Sequence, residues 1–140
     1  MKLLTLLFSL GLSFFASAQD SWTVIHNGKE KLTTETEQPD GNVVTLNRAD
    51  LSRTGTFVVK YTEKEPQTGW KRTITMVDKA EKELHTHTGN LFTISNANLK
   101  APFNKVSTIY VYTWALPTDP DLAARIRIRR VHLCTIKLKG

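Results

Sequence analysis

The residues best suited to chemistry lie near the C-terminus, in a segment where arginine alternates with isoleucine. Arg125, Arg127 and Arg129 occupy alternate positions, and Arg130 follows directly. On a β-strand, alternate side chains share a face and lie about 6.6 Å apart, a spacing that suits successive negative groups. These four arginines are therefore a candidate binding site for anionic polysaccharide, lipid headgroups or an acidic protein.

The same arginines also have a simpler, structural interpretation, which we favour over ligand binding. Basic side chains on an exposed strand protect a sheet edge from pairing with another molecule. The apolar alternation breaks at Arg129-Arg130, because Val131 and Leu133 appear on the otherwise cationic side. This break predicts either a β-bulge at the double arginine or a change of packing environment along the strand.

A second group of candidate residues consists of two pairs with metal-ligating side chains. His85 and His87 are separated by one residue, as are His132 and Cys134. A regular strand would place each pair on one face, and imidazole with thiolate suits Zn²⁺ or copper. A periplasmic zinc- or copper-binding protein is therefore the alternative functional hypothesis, although the spacing matches no known cupredoxin or cupin pattern.

Motifs for catalysis are scarce in this sequence. It contains no Gly-rich phosphate loop, no Walker sequence, and neither G-x-S-x-G nor H-E-x-x-H. Cys134 is the only cysteine, so no intrachain disulfide can form, and its apolar neighbours Leu133 and Ile136 predict a buried thiol. We therefore expect a protein that is not an enzyme and needs no cofactor, unless the metal alternative holds.

Aromatic residues offer a further binding hypothesis. Large side chains are needed to fill the core of a small β domain, and we expect most of the aromatic residues to serve there. If several of them face solvent instead, they would form a flat platform for stacking against sugar rings. The candidates for that platform are Trp22, Trp70, Tyr110, Tyr112 and Trp114.

Residues 1–18 have the pattern of a secretory signal peptide. Lys2 precedes an apolar run from Leu3 to Phe15, and Ala16-Ser17-Ala18 forms a small-x-small cleavage site. The run is too short to cross a bilayer, which needs about 20 helical residues. We expect cleavage after Ala18 and a periplasmic or extracellular product that does not span a membrane.

Export also bears on the partners that the charge would suggest. The whole chain has a formal net charge of +6, which would favour nucleic acid electrostatically. Secretion removes the chain from most nucleic acid, and the sequence has no recognition helix and no aromatic stacking motif. Nucleic acid is therefore not an expected partner.

Composition and turn signals predict a single all-β domain over residues 19–140. Threonine supplies 18 of these 122 residues, and β-branched side chains favour strands. We expect a two-sheet antiparallel β-sandwich of jelly-roll or immunoglobulin-like topology, with a small β-barrel as the alternative. No helical crossover and no internal repeat is apparent.

Individual elements follow from local patterns. Asn27-Gly28 predicts a tight hairpin between Trp22–His26 and Lys29–Thr34. Pro120 to Ala124 is the one expected helical turn, with Asp119 as its cap. The remaining expectations are a long hairpin of Thr56–Thr62 with Trp70–Asp78, short strands at 42–47, 84–88 and 90–95, connections at 49–55 and 96–104, and a strand Val106–Leu116 that pairs with Arg125–Lys139.

Overall fold

The computed structural model describes residues 19–140, so the signal peptide expected over residues 1–18 lies outside the described residues. Strands account for 51% of the described residues, and the helices are short. The strands are β1 (Ser21–His26), β2 (Lys29–Thr34), β3 (Val43–Asn47), β4 (Thr56–Thr62), β5 (Trp70–Val77), β6 (Glu83–Thr88), β7 (Leu91–Ser95), β8 (Thr108–Pro117) and β9 (Val131–Lys139). The helices are α1 (Arg48–Leu51), α2 (Asn96–Phe103) and α3 (Pro120–Arg125).

The strands form two sheets that pack face to face. One sheet has the order β2-β1-β4-β7, and the other has the order β3-β9-β8-β5-β6. All neighbouring strands are antiparallel except β3 and β9, which run parallel. The predicted all-β sandwich is confirmed, and β8 is the middle strand of its sheet, as its two partly apolar faces indicated.

The first hairpin forms where the sequence predicted it. Asn27 has φ 51° and Gly28 has φ 78°, the two left-handed positions that a type I′ turn requires. Glycine adopts such a φ without steric cost, and asparagine tolerates it better than most residues do. The turn joins β1 to β2 and so sets the edge of the four-stranded sheet.

The core lies between the two sheets, and it corrects the predicted long hairpin. Phe57 and Val59 of β4 are fully buried, as are Ile74 and Met76 of β5. The two strands belong to different sheets, because β4 pairs with β1 and β7 whereas β5 pairs with β8 and β6. Their apolar faces therefore pack against each other across the core. Alternation along each strand correctly predicted a buried face, but it could not say that the two strands lie in opposite sheets.

Residues 96–103 form a helix, so the connection predicted there is wrong. The Ser95 side chain accepts a hydrogen bond from the Asn98 backbone N–H and caps α2, which satisfies one unpaired donor of its first turn. Leu99 and Phe103 lie four residues apart and are both buried in the core. Pro102 lies in the last turn, where it does not prevent the helix from forming.

Two further short helices occur, one predicted and one not. Residues 48–51, expected to be part of a connection, form the single turn α1. The predicted turn at Pro120 is confirmed as α3, and the Asp119 side chain accepts from the Asp121 backbone N–H at its start. Among residues 19–140, no helix has the length and apolarity needed to cross a membrane.

The last strand is shorter than predicted. It begins at Val131, and residues 126–130 belong to no regular element. Alternation over Arg125–Lys139 predicts one buried row of Ile126, Ile128, Ile136 and Leu138. Of these four side chains only Ile136 is fully buried, and Ile128 is 50% exposed. Leu138 is partly buried against the core. Pairing of this strand with β8 is confirmed.

Candidate functional site

The arginines predicted to line one strand face do not form a strand. Arg125 ends α3, and Arg127, Arg129 and Arg130 lie in the irregular segment before β9. The spacing of 6.6 Å expected for a strand therefore does not apply. Edge protection is also wrong, because β9 lies between β3 and β8 inside the sheet. A ligand-binding role for these residues stays a prediction.

Two of the arginines are neutralised by carboxylates that lie far away in the sequence. The Arg129 guanidinium is 2.8 Å from a Glu37 carboxylate oxygen. Arg130 donates two hydrogen bonds, of 2.6 and 2.9 Å, to the two carboxylate oxygens of Glu81, and this bonding lowers the pKa of Glu81. In the part of the chain that the structure describes, Arg125 and Arg127 form no ion pair.

Three of the five candidate platform aromatics form a row on the outer face of the five-stranded sheet. Tyr110, Tyr112 and Trp114 are half-buried there, and the two tyrosine rings are stacked with centroids 6.5 Å apart. Trp22 instead fills the core at 3% exposure, whereas Trp70 is 38% exposed near one end of the sandwich. Core filling is thus confirmed for one tryptophan, and the row on β8 faces outward.

Arg130 is also fixed against the aromatic row. Its guanidinium carbon lies 3.8 Å from the centroid of the Tyr112 ring, a cation–π contact. Burial raises the pKa of Tyr112, so this phenol stays neutral at physiological pH. Arg130 therefore has two anchors, the Glu81 carboxylate and the Tyr112 ring.

A β-bulge in β9 decides which side chains join this face. Tyr112 pairs with His132 and Val111 pairs with Cys134, which leaves Leu133 as an extra residue between them. Since Val111 faces the core and Tyr112 faces outward, His132 and Cys134 lie on opposite faces of the sheet. A bulge was predicted at Arg129-Arg130, and the structure places it at Leu133.

His132 is buried and incompletely bonded. The residue is only 5% exposed. Its Nε2 lies 2.8 Å from the Thr135 hydroxyl, and its ring makes a T-shaped contact with the ring of Tyr112. Among the described residues, its Nδ1 atom has no hydrogen-bond partner. Burial lowers the pKa of His132, and the nearby Glu37 carboxylate opposes that shift.

These residues surround a cavity of about 320 Å³, which we call the outer-face cavity. Strands β8 and β9 supply its floor, and the loop between β2 and β3 supplies one wall. That loop is held in place because Glu37 accepts a 2.7 Å hydrogen bond from the His132 backbone N–H. The lining residues are Glu37, Pro39, Asp40, Tyr110, Tyr112, Arg130, His132 and Thr135.

The four candidate metal ligands are not brought together. His85 and His87 lie on β6, which is separated from β9 by β5 and β8, a distance of about 14 Å at three strand spacings. The ring of His87 packs on Phe92, and its Nδ1 lies 3.4 Å from the Thr93 backbone N–H. Over residues 19–140, no group of three or more His, Cys, Asp and Glu side chains is placed to hold a metal ion.

Cys134 is fully buried and unpaired, as predicted. Burial raises the pKa of its thiol to about 12, so almost no thiolate exists at physiological pH. The thiolate is the form that attacks substrates and binds metals. Cys134 therefore packs in the core as a small apolar residue.

Several lining residues were missed by sequence reasoning. Glu37 and Asp40 lie in a polar loop with no motif, and 95 residues separate Glu37 from the His132 backbone that it binds. The dipeptide Asp40-Gly41 is a turn sequence and predicts a turn at the end of this loop, but it carries no functional signal. Tyr110 and Tyr112 were named in the sequence as candidates for an exposed platform, and the structure places both half-buried on the outer face of β8. Ligand binding by these rings stays a prediction.

No family model matches this chain, and a search of curated proteins finds no relative. The outer-face cavity is therefore the feature of the molecule that carries a functional hypothesis.

Proposed function

We propose that this protein is an exported, non-catalytic β-sandwich that binds a neutral carbohydrate in the outer-face cavity. The observation that carries the proposal is the buried Nδ1 of His132, which lacks a partner beside the stacked rings of Tyr110 and Tyr112. A buried polar atom without a hydrogen bond costs about 1–3 kcal/mol. The Nδ1 atom is closed to solvent, so the ring must turn on binding to present it to a ligand, and a ligand that then supplies the missing bond recovers that energy.

A hydroxyl group is the ligand chemistry that fits His132 in either tautomer. If Nε2 donates to the Thr135 hydroxyl, Nδ1 is an acceptor; if Nε2 accepts from it, Nδ1 carries the proton. A hydroxyl both donates and accepts, so it satisfies Nδ1 in both cases. Carbohydrates present many hydroxyls on a compact ring.

The rest of the cavity lining suits a sugar as well. Aromatic rings provide an apolar surface for the C–H side of a pyranose, and both tyrosines line the cavity. Because Arg130 covers one face of the Tyr112 ring, we propose that the sugar contacts the Tyr110 ring and the remaining surface of Tyr112. The carboxylates of Glu37 and Asp40 can accept hydrogen bonds from sugar hydroxyls. Arg130 spends two of its five N–H donors on Glu81, which leaves donors for a ligand.

Charge favours a neutral ligand over an anionic one. Two carboxylates and one guanidinium line the cavity. Arg130 is paired with Glu81 and Glu37 is paired with Arg129, so among the described residues Asp40 is the lining charge without an ion pair. An anionic sugar would meet an excess of negative charge and would lose affinity. We therefore propose a neutral glycan for this site.

Export is supported by the sequence pattern of residues 1–18, and a non-catalytic role is supported by the chemistry of the cavity. Asp20, two residues after the expected cleavage site, is bonded into the sandwich, since its carboxylate accepts a 2.6 Å hydrogen bond from the Tyr61 hydroxyl. In the cavity, His132 faces no nucleophilic thiol, because Cys134 lies on the other side of the sheet. The arrangement binds and orients a ligand without activating it.

Calorimetric titration of residues 19–140 with neutral oligosaccharides tests the proposal. The probes are cellohexaose, laminarihexaose, maltohexaose and chitohexaose, and we expect saturable binding of at least one. His132→Leu removes Nδ1, and Tyr112→Leu removes the aromatic surface. Each variant should weaken binding about tenfold or more, equivalent to about 1.4 kcal/mol.

The matched control is Trp70→Leu, which removes an exposed aromatic residue outside the cavity and should leave affinity unchanged. Failure of every probe to bind, or equal affinity for the His132→Leu variant and the parent, would overturn the carbohydrate proposal. Export is tested separately by expressing the full chain in a bacterial host and measuring the mass of the exported product. A mass that corresponds to residues 19–140 is expected, whereas full-length protein retained in the cell would contradict it.

A further inference from the structure

A second cavity lies at the opposite end of β9, where helices α1 and α2 pack together. It has a volume of about 220 Å³, and we call it the helix-end cavity. An engineered cavity of about 150 Å³ is large enough for benzene, so this one accommodates a short stretch of hydrocarbon. Its lining residues are Arg48, Ala49, Leu51, Ser52, Lys100, Phe103 and Leu138.

The floor of the helix-end cavity is apolar. Leu51 of α1 and Phe103 of α2 both belong to the core cluster, and Leu138 of β9 is partly buried beside them. Ala49, with its single methyl group, is exposed at the surface. Contact with an alkyl chain would remove apolar surface from water at about 25 cal/mol per Å².

The rim of the same cavity is cationic. Arg48 and Lys100 line it, and no carboxylate does. Within residues 19–140 neither of these two cations forms an ion pair, because the nearby Asp50 carboxylate pairs with Arg53 instead. Lys100 is held at the rim by a 3.2 Å hydrogen bond from its Nζ to the Ser52 hydroxyl.

We propose that the helix-end cavity binds a free single-chain anionic amphiphile, a carboxylate on an unbranched alkyl chain. The apolar floor holds the first carbons of the chain, and Arg48 and Lys100 bind the carboxylate at the rim. Charge complementarity identifies this occupant, since an apolar floor alone would accept any hydrocarbon. The site is independent of the outer-face cavity and of whether that cavity binds a sugar.

Four small probes separate the two parts of the proposal. Octanoate has both the chain and the charge; octanol has the chain, acetate has the charge, and octylammonium reverses the charge. We follow binding by the shifts of backbone amide NMR signals. Octanoate should bind at least about tenfold more tightly than octanol, shift the amides of Ala49 and Leu138, and weaken with added NaCl. Acetate and octylammonium should bind only weakly.

Variants locate the site. Arg48→Gln and Lys100→Gln should each reduce octanoate affinity to near that of octanol and leave octanol binding unchanged. Ala49→Phe should weaken both ligands because it fills the cavity, and its fold is checked by thermal unfolding. Arg127→Gln is the matched control, since it removes one exposed cation elsewhere and should have no effect.

Three results would overturn this proposal. One is equal affinity for octanoate, octanol and octylammonium, which would indicate nonspecific adsorption. Another is octanoate binding that the Arg48→Gln and Lys100→Gln variants retain in full. The third is binding to vesicles of anionic phosphatidylglycerol without any octanoate binding, which would assign the rim to a membrane surface. Loss of glycan binding has no bearing on any of these outcomes.

Discussion

The two cavities differ in how their cations are used. At the outer-face cavity, Arg130 is paired with Glu81 and stacked on Tyr112, and the floor is formed by tyrosine rings and a buried histidine. At the helix-end cavity, Arg48 and Lys100 face solvent above an apolar floor with no carboxylate in the lining. The first cavity offers hydrogen bonds at low net charge, whereas the second offers unpaired positive charge beside hydrocarbon.

This difference teaches that the density of cations in a sequence says little about where an anion can bind. The segment Arg125 to Arg130 holds four arginines, and two of them are satisfied by Glu37 and Glu81. Arg48 and Lys100 lie 52 positions apart in the sequence, yet the packing of α1 against α2 brings them to one rim. Ion pairing in the folded structure decides which cations remain free to bind an anion.

Strand β9 joins the two regions and should produce the largest effect when it is removed. It supplies His132 to one cavity and Leu138 to the other, and its Leu133, Cys134 and Ile136 are fully buried. Burial of such side chains is worth about 1.5–3 kcal/mol each, against a total stability of about 5–15 kcal/mol for a small domain. Truncation after Ala124 should abolish cooperative unfolding as followed by circular dichroism.

A shorter truncation serves as the control for that experiment. Removal of Lys139 and Gly140, which are both exposed, should leave a sharp transition close to that of the parent. If the protein truncated after Ala124 also melts sharply near the parent temperature, β9 is not essential, and the two cavities do not depend on a common element.

Local patterns were sufficient to predict most of the strands. The Asn27-Gly28 turn, the alternation along β4 and β8, and the proline at the start of α3 each act through neighbouring residues. Local patterns did not predict that β4 and β5 lie in different sheets. Each strand shows the same apolar alternation whether the two strands pair in one hairpin or face each other across the core. Helix α2 was missed because residues 96–104 have a loop-like composition and Pro102 argues only against a central strand. The helix is stabilised by burial of Leu99 and Phe103 in the core, which is a tertiary effect.

The candidate site was predicted less well, for a related reason. Arginine alternation was extrapolated through residues 126–130 as if the strand began at Arg125, although the chain is irregular there. The bulge at Leu133 then placed His132 and Cys134 on opposite faces, which no local pattern shows. The carboxylates of Glu37 and Glu81, which decide the charge of the cavity, are contributed by loops distant in sequence.

Removal of the carboxylates that pair with Arg129 and Arg130 should give the outer-face region unpaired cations, as at the helix-end cavity. In the double variant Glu37→Gln, Glu81→Gln, Arg129 and Arg130 lose their carboxylate partners. We expect this variant to elute from a dextran sulfate column at a clearly higher salt concentration than the parent, since unpaired cations bind anions more strongly. Glutamine retains an acceptor oxygen for the His132 backbone N–H.

The matched control is the double variant Glu35→Gln, Glu65→Gln, which gives the same change in net charge at two exposed positions. It should shift elution less than the first variant does. Equal shifts would show that only net charge matters, and the contrast between paired and unpaired cations would then not explain anion binding.

The pH dependence of stability should distinguish the outer-face region from the rest of the molecule. The pKa of buried His132 is below its ordinary value of 6.5, so the folded state binds this proton less readily than the unfolded state. Its contribution to stability is therefore present above about pH 6.5 and is lost as the pH falls towards the folded-state pKa. The loss cannot exceed about 1.4 kcal/mol per pH unit for this one group.

Urea unfolding between about pH 7.5 and about pH 5.5 measures this contribution. We expect the parent to lose more stability over that range than His132→Gln, which has no titrating ring. If the variant loses as much as the parent, His132 does not titrate differently in the two states, and the desolvated environment assigned to it is wrong.

The smallest expected effect concerns the arginines that gave the first binding hypothesis. Arg127 is exposed and lies in the irregular segment before β9, so its charge should act only through the net charge of the protein. Arg127→Glu should therefore reduce retention on dextran sulfate slightly, by the same amount as Lys60→Glu, an exposed reversal on the other sheet. Screening by salt should abolish both differences. A markedly larger loss for Arg127→Glu would mean that Arg125 and Arg127 form a specific anion site. Anion binding near the start of β9 would then not depend on whether Arg129 and Arg130 are paired with carboxylates.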